Sequence, residues 1–331
     1  MDLTKDLQKF KEYWEKAIKP DLQNIKIDYQ KNIPTTGKYF ALAFISVILT
    51  LIFSFIIMFA ITDEDEIIKN AGIVWAIGMT GMVTGVMKIF AASEKRKQFM
   101  KGFKQKIIEP CIQFIDPDLN YEAENHISYE DLSDSSLFNY FSLESGDDKI
   151  SGEMLGNAFS FSEVFLSYTT KSSGTRKSNR HIQSFILFEI ERKDTNTGEL
   201  IIYPKMRSRS KLIYHNRPPK GFTYMENNPF AESYTVMWKE SEEAKSFLSS
   251  SLIAKMDAIQ EKLKNNLFLS THDNKMYLAV PREYGNIVSS FLDFDEKGNT
   301  ITHFRTYQKI FNNLTTYRDI VRIMVVPLQR K

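Results

Sequence analysis

The sequence predicts an α+β protein: a two-helix transmembrane hairpin followed by a cytoplasmic domain with a largely antiparallel sheet and packed helices. Three observations predict it. A charge-free run from Tyr39 to Ile61 is followed, after a short acidic connection, by a second apolar run from Ala71 to Ala92. From Lys149 the pattern changes from helical spacing to alternation rich in β-branched and aromatic residues. The later elements come in the order strands, helix, hairpin, helix, without regular βαβ alternation, which argues for antiparallel pairing.

The first apolar run covers about 34 Å as a helix, more than the ~30 Å hydrocarbon core of a bilayer. It is dense in Phe, Ile, Leu and Val, and the hydroxyls of Ser46, Thr50 and Ser54 can bond back to carbonyls one turn earlier. A buried helix of a soluble protein rarely has so long a stretch with no polar face. The second run is shorter in its uncharged part, Ala71–Met87, and Lys88 near its end can extend its amine to the headgroups. Gly78, Gly81 and Gly85 lie close to one helical face, and Gly81–Gly85 has the small-xxx-small spacing that lets backbones approach. Packing on the first helix is the favoured use; homodimerisation is the alternative.

The connection Thr62–Asn70 carries Asp63, Glu64, Asp65 and Glu66, and only Lys69 as a cation. Lys19, Lys26, Lys31 and Lys38 precede the first run, and Lys95, Arg96, Lys97, Lys101, Lys104 and Lys106 follow the second. By the positive-inside rule both termini are expected in the cytoplasm. Lys95, Arg96 and Lys97 are also candidates for contact with anionic lipid.

The expected layout is a cytoplasmic amphipathic helix over 1–38, the hairpin over 39–92 (about 39–61 and 71–92), a basic helical stalk and acidic connector over 93–148, and the α+β domain over 149–331. In the first segment Leu3, Leu7, Phe10, Trp14 and Ile18 recur at helical spacing. They dock on the chain's own soluble part or lie on the membrane; the interspersed acids favour docking. The charged first residues lead to the expectation of no cleaved signal peptide. In the domain, Ala158–Thr169, His181–Arg192, Leu200–Pro204 and Ala231–Trp238 read as strands. Phe247–Leu263 and His303–Met324 read as helices, and Asn266–Ser270 and Met276–Val280 as a hairpin about THDNK.

The string Ile150–Val164 (ISGEMLGNAFSFSEV), with Gly152, Gly156, Phe161, Ser162 and Glu163, resembles the sequence core of bacterial membrane proteins of domain of unknown function family 3137. Val236–Ser249 is similar to a second phrase of that family, keeping Glu243, Ala244 and Leu248, although its Arg-Tyr-Leu-Leu-Thr part is degraded here to Lys-Ser-Phe-Leu-Ser. Leu267–Val280 is similar to a third, with Lys275, Tyr277 and Ala279 in place. The resemblance runs from about Phe10 to Val325. It implies a bacterial inner-membrane protein with two membrane helices, and it implies no catalytic residues.

The residues themselves point to no recognised chemistry. The net charge of +2 gives no global steering toward nucleic acid, which is not expected as a partner. One cysteine, Cys111, excludes an internal disulfide. None of the five histidines has ligand spacing, so no metal is expected. No phosphate-binding loop, dinucleotide fingerprint or nucleophile elbow occurs, and no cofactor is expected. Glu163, a carboxylate within a strand, is the best acidic candidate for catalysis, with a structural ion pair as the competing reading. Two basic stretches can meet phosphates of lipid or nucleic acid: Lys171–Arg180, and Lys205–Lys220, which includes Arg207, Arg209 and Lys211 and no acid. For a tethered domain, anionic lipid is the nearer partner. The expectation is a binding or scaffold protein that engages a protein partner, a second copy of itself or the anionic membrane surface. A membrane-tethered enzyme is the alternative, and an oligomeric channel or transporter component the third reading.

Overall fold

A computed structural model describes residues 3–32, 36–60, 64–138, 141–171, 178–193, 198–205, 218–264, 266–282 and 302–326. The chain divides into two compact units. The first comprises residues 1–108 and 293–307, and the second residues 109–292 and 308–331.

The first unit is helical. Helix α1 (Leu3–Tyr13) passes through one π-helical turn, Trp14–Ile18, into α2 (Lys19–Asn32). The spacing of Phe10, Trp14, Ile18 and Leu22 puts all four on one side, and all four are buried. Trp14 packs against Phe304 and Tyr307, at ring separations of 5.2 and 5.9 Å. The apolar stripe of α1 is thus covered by the chain itself. Helix α3 (Thr36–Ala60) and helix α4 (Glu64–Phe103) are antiparallel neighbours, and α4 runs on through a π-helical turn, Lys104–Ile108. Each of α3 and α4 carries a stretch long and apolar enough to cross a membrane. Their outer faces show large apolar side chains, with Phe40 69%, Phe55 62% and Phe90 71% exposed.

The second unit is α+β. Among the described residues, nine strands form one antiparallel sheet in the order β1-β2-β3-β4-β9-β8-β5-β7-β6. The strands are β1 (Asn120–Glu122), β2 (Ser142–Met154), β3 (Asn157–Lys171), β4 (Ser178–Glu191), β5 (Leu200–Pro204), β6 (Thr223–Tyr224), β7 (Tyr234–Trp238), β8 (Phe268–His272) and β9 (Lys275–Arg282). The helices are α5 (Glu109–Ile115), α6 (Tyr129–Asp134), α7 (Glu242–Phe247), α8 (Ser250–Leu263) and α9 (Phe304–Val325), whose first residues, to Tyr307, belong to the first unit. Ser128, Ser241 and Ser249 cap α6, α7 and α8, each hydroxyl accepting from the backbone N–H three residues on.

Alternation along the strands sorts the sheet into two buried faces. Val164, Leu166, Phe185, Leu187, Tyr277 and Ala279 lie on one, packed with Ile127, Leu132, Leu137 and Phe138 from the chain around α6. Phe161 and Phe188 lie on the other, where both rings meet Tyr317 of α9 at 5.7 and 5.8 Å. Burial on both faces explains the continuous apolar runs of β4, β8 and β9.

The sheet begins before Lys149. β1 and the first half of β2 come from the stretch that reads as an acidic connector. That stretch hides a strand because β2 is bulged: two of its residues oppose one of β3 between Leu143 and Ser145, and again past Asp147. The bulges bring Gly, Asp and Glu into a strand that alternation alone does not reveal.

The β2–β3 turn places Leu155 and Gly156 at φ +51° and +77°. Both positive angles mark the hairpin turn that favours Asn-Gly. Leu155 carries the left-handed strain and is 68% exposed, so its side chain returns little by burial. Leu155→Asn is expected to raise stability by about 1 kcal/mol, read by chemical denaturation.

Candidate functional site

β3 presents Glu163 on the sheet face that also bears Phe161, beneath α9, where its side chain is 3% exposed. Two strands away, at the end of β9, Arg282 reaches back across β4, and its guanidinium donates to a Glu163 carboxylate oxygen. From β2, the bulge brings Asp147 opposite Glu163 and turns Asp148 inward at φ +59°. Asp148 is buried and accepts a hydrogen bond from the Tyr121 hydroxyl of β1. From α9, Tyr317 lies close enough to feel both members of the pair.

Burial raises the Glu163 pKa above the ordinary carboxylate value; the Arg282 guanidinium pulls it back, and the charges of Asp148 and Asp147 push it further up. Burial likewise pushes the Tyr317 hydroxyl up to about 12. The arrangement is an internal ion pair inside an acidic surround. It fixes the end of β9 to the middle of β3. The carboxylate is engaged by a cation and is almost fully buried, which is the geometry of a structural pair rather than of an acid presented to a substrate.

Two further charged clusters tie elements together. Lys275 of β9 holds Asp131 of α6 at 3.1 Å and Glu189 of β4 at 2.5 Å. Burial works against its charge, but hydrogen bonds to Glu189 and Asp131 outweigh it and raise its pKa. Glu199 holds Lys239 at 2.5 Å and the His272 Nδ1 at 3.3 Å. Partial burial raises the Glu199 pKa, and its hydrogen bonds to Lys239 and His272 lower it further than that.

Lys255 of α8 donates from Nζ to the Val326 carbonyl at 2.5 Å. Burial, and the nearby charge of Arg192, lower its pKa to about 8. At mildly alkaline pH a large share of Lys255 is therefore the neutral amine, against well under about 1% for a lysine near 10.4. Competitive acylation read by mass spectrometry is expected to modify Lys255 ahead of the exposed lysines.

The glycines of α4 face α3. A Cβ on Gly78 would fall 1.8 Å from Thr50 Oγ1, one on Gly81 3.1 Å from Ser46 Cβ, and one on Gly85 2.8 Å from Ala43 Cβ. The same ladder ends with the Lys88 amine 5.7 Å from the Tyr39 ring centre. Lys95 and Lys97 are exposed on α4. The side chain of Arg96 lies outside the described residues, as do Arg207, Arg209 and Lys211, His215, and residues 172–177 of the first basic stretch. Among the described residues no cluster of three or more His, Cys, Asp or Glu could hold a metal ion. Cys111 is buried, and burial pushes its thiol up to about 12, the state of an inert thiol.

Sequence reasoning found Glu163 but missed Arg282, Asp147 and Asp148. Arg282 stands just past the strand read as Met276–Val280. Asp147 and Asp148 follow Gly146, a combination that reads as a turn. A buried acid in a strand implies a buried cation, and that was the available signal.

No curated protein matches this chain. One solved structure that is similar is the crystal structure of the mycobacterial trehalose monomycolate transport factor A, TtfA. It is 9% identical with a TM-score of 0.31, over 67% of this chain and 96% of that one. Residues 185–325, from β4 into α9, match the family described as Protein of unknown function (DUF3137). The match includes the Val236–Ser249 and Leu267–Val280 phrases and leaves Ile150–Val164 outside. Residues 185–325 thus carry the likeness to the DUF3137 domain family.

Proposed function

We propose that the protein is a membrane-anchored binding or scaffold protein of the bacterial inner membrane, whose cytoplasmic α+β domain engages a protein partner or the anionic membrane surface. The observation that carries this reading is the pair α3 and α4. Their mutual contact uses small residues, Ala43, Ser46 and Thr50 against Gly85, Gly81 and Gly78, while Phe, Ile and Met side chains face outward. Exposed apolar surface on that scale is unfavourable in water and favourable in lipid. The distribution of lysine and arginine supports cytoplasmic termini, with the acidic 62–70 turn on the opposite side. The engagement of Glu163 by Arg282 favours binding over an enzyme built on that carboxylate.

The test combines alkaline extraction with reporter fusion. The full chain is expected to stay in the membrane pellet at high pH, and a phosphatase inserted within residues 62–70 is expected to be active outside the cytoplasm. Release by alkali sinks the anchor; a reporter active only in the cytoplasm reverses the topology.

A further inference from the structure

Helix α4 continues past the point where its apolar run ends. Among the described residues, Phe90, 71% exposed, is the last large apolar side chain that α4 turns outward, and the helix runs on unbroken to Phe103. At the same end of the hairpin the Lys88 amine stands 5.7 Å from the Tyr39 ring centre, an amphipathic ring and a cation at the level where tyrosines gather in a bilayer. At 1.5 Å rise per residue, Lys95 lies about 7.5 Å past Phe90, Lys97 about 10 Å and Lys106 about 24 Å. The headgroup layer adds about 5–8 Å outside the hydrocarbon on each side. Side chains of a helix lean toward its N-terminus, which at this end of α4 means back toward the apolar run. A lysine carries its amine on a flexible four-carbon stem. Lys95 and Lys97 therefore return their amines to the layer that begins where Phe90 ends, and Lys106 does not. Both lysines are exposed, and neither joins an ion pair among the described residues. The acid beside them, Glu94, accepts from the Gln98 side-chain amide at 3.3 Å. Two positions apart, the lysines are turned about 200° from each other, so they serve opposite sides of α4.

We propose that Lys95 and Lys97 form a two-sided collar that binds the phosphates of anionic phospholipid in the leaflet where α4 leaves the bilayer. The proposal rests on the membrane-anchored reading above and adds to it the lipid class and the two side chains. Charge complementarity selects the ligand. Each ammonium is a compact donor with no acceptor, matched by phosphate oxygens, and it gains from a surface of net negative charge. A zwitterionic headgroup carries its own ammonium beside the phosphate and offers no such gain. The outward apolar side chains of α3 and α4 set the acyl chains alongside, directly below the collar. Each lysine also has an exposed neighbour one turn nearer the bilayer on its own side of the helix, Ala91 for Lys95 and Ser93 for Lys97.

The test uses the full chain in phosphatidylcholine nanodiscs. Ala91→Cys or Ser93→Cys, in a Cys111→Ser background, carries a fluorophore. It is quenched by phosphatidylglycerol or phosphatidylcholine bearing a nitroxide on the acyl chain next to the headgroup, and the ratio of the two quenching curves gives the local preference. Phosphatidylglycerol is expected to be preferred at both positions, with the preference lost at high salt. Lys95→Gln is expected to lower the preference at position 91 about fivefold and Lys97→Gln to do the same at position 93, each leaving the other position unchanged. Lys106→Gln, the same change of charge beyond reach, is expected to leave both unchanged. Equal quenching by the two lipids at both positions overturns the collar and leaves the anchor standing. Quenching by neither lipid overturns the anchor, and the collar with it. A loss with Lys106→Gln as large as with Lys95→Gln assigns the preference to the overall charge of the helix end and overturns the collar as a contact.

Discussion

Arg282→Met is expected to destabilise the α+β unit by about 3–5 kcal/mol, because it leaves Glu163 as a buried carboxylate with no cation opposite. The loss should depend on pH in a defined direction. Burial, partly offset by Arg282 and reinforced by Asp148 and Asp147, already raises the Glu163 pKa in the folded protein. A raised folded pKa contributes stability that is fully present below the unfolded carboxylate value and is lost as pH rises through the folded value. Removing Arg282 takes away the one influence that lowers this pKa, so the window widens upward. The variant should recover part of its stability on acidification, when Glu163 takes a proton and the buried charge disappears. Hydrogen exchange of the 159–165 amides in the full-length protein, followed across pH, reads this directly. A loss of equal size at mildly acidic and mildly alkaline pH would show that Glu163 does not titrate between them without Arg282, and would overturn the predicted pH dependence. The double variant Glu163→Gln with Arg282→Met should be more stable at neutral pH than Arg282→Met alone, since it removes the stranded charge.

Gly78→Leu is expected to break the contact between α3 and α4. A Cβ at position 78 would overlap Thr50 Oγ1 at 1.8 Å, and Thr50 cannot rotate away without giving up its 2.7 Å bond to the Ser46 carbonyl. Overpacking a close contact costs about 1–3 kcal/mol, and a leucine adds a whole side chain where no Cβ fits. Ser46→Cys with Gly81→Cys, in the Cys111→Ser background, provides the readout. The Cβ positions are 3.1 Å apart, so a small outward shift brings them into the disulfide range of about 3.5–4.5 Å. Oxidation should cross-link this pair efficiently in the native hairpin and poorly when Gly78→Leu is added. Efficient cross-linking in both would mean that the contact does not depend on Gly78, and poor cross-linking in both that the helices do not pack through the glycine face. The smaller Gly78→Ala should give an intermediate yield, since it introduces the clash without the bulk.

The sequence by itself determined the features that repeat at short range. Periodicity of 3.6 and 2.0 residues marks Phe10, Trp14 and Ile18 as part of one apolar stripe, and β4, β5, β8, β9 and α9 as strands and a helix close to where they stand. Length and lack of charge mark α3 and α4 as helices fit for a bilayer. Only the tertiary structure decided the features that join distant residues. Glu163 and Arg282 are 119 positions apart, and nothing near either announces the other. The stripe on α1 is amphipathic whatever it faces, and the rings of Phe304 and Tyr307, far along the chain, supply what it packs against. β2 was illegible because its bulges interrupt the alternation by which a strand is recognised, and those same bulges bring Asp147, Asp148 and Glu144 to their places. The physical reason is common to all three. Local pattern records which face of an element avoids water, but the partner that covers the face, and the charge that answers a buried charge, are set by packing between segments that the sequence keeps far apart.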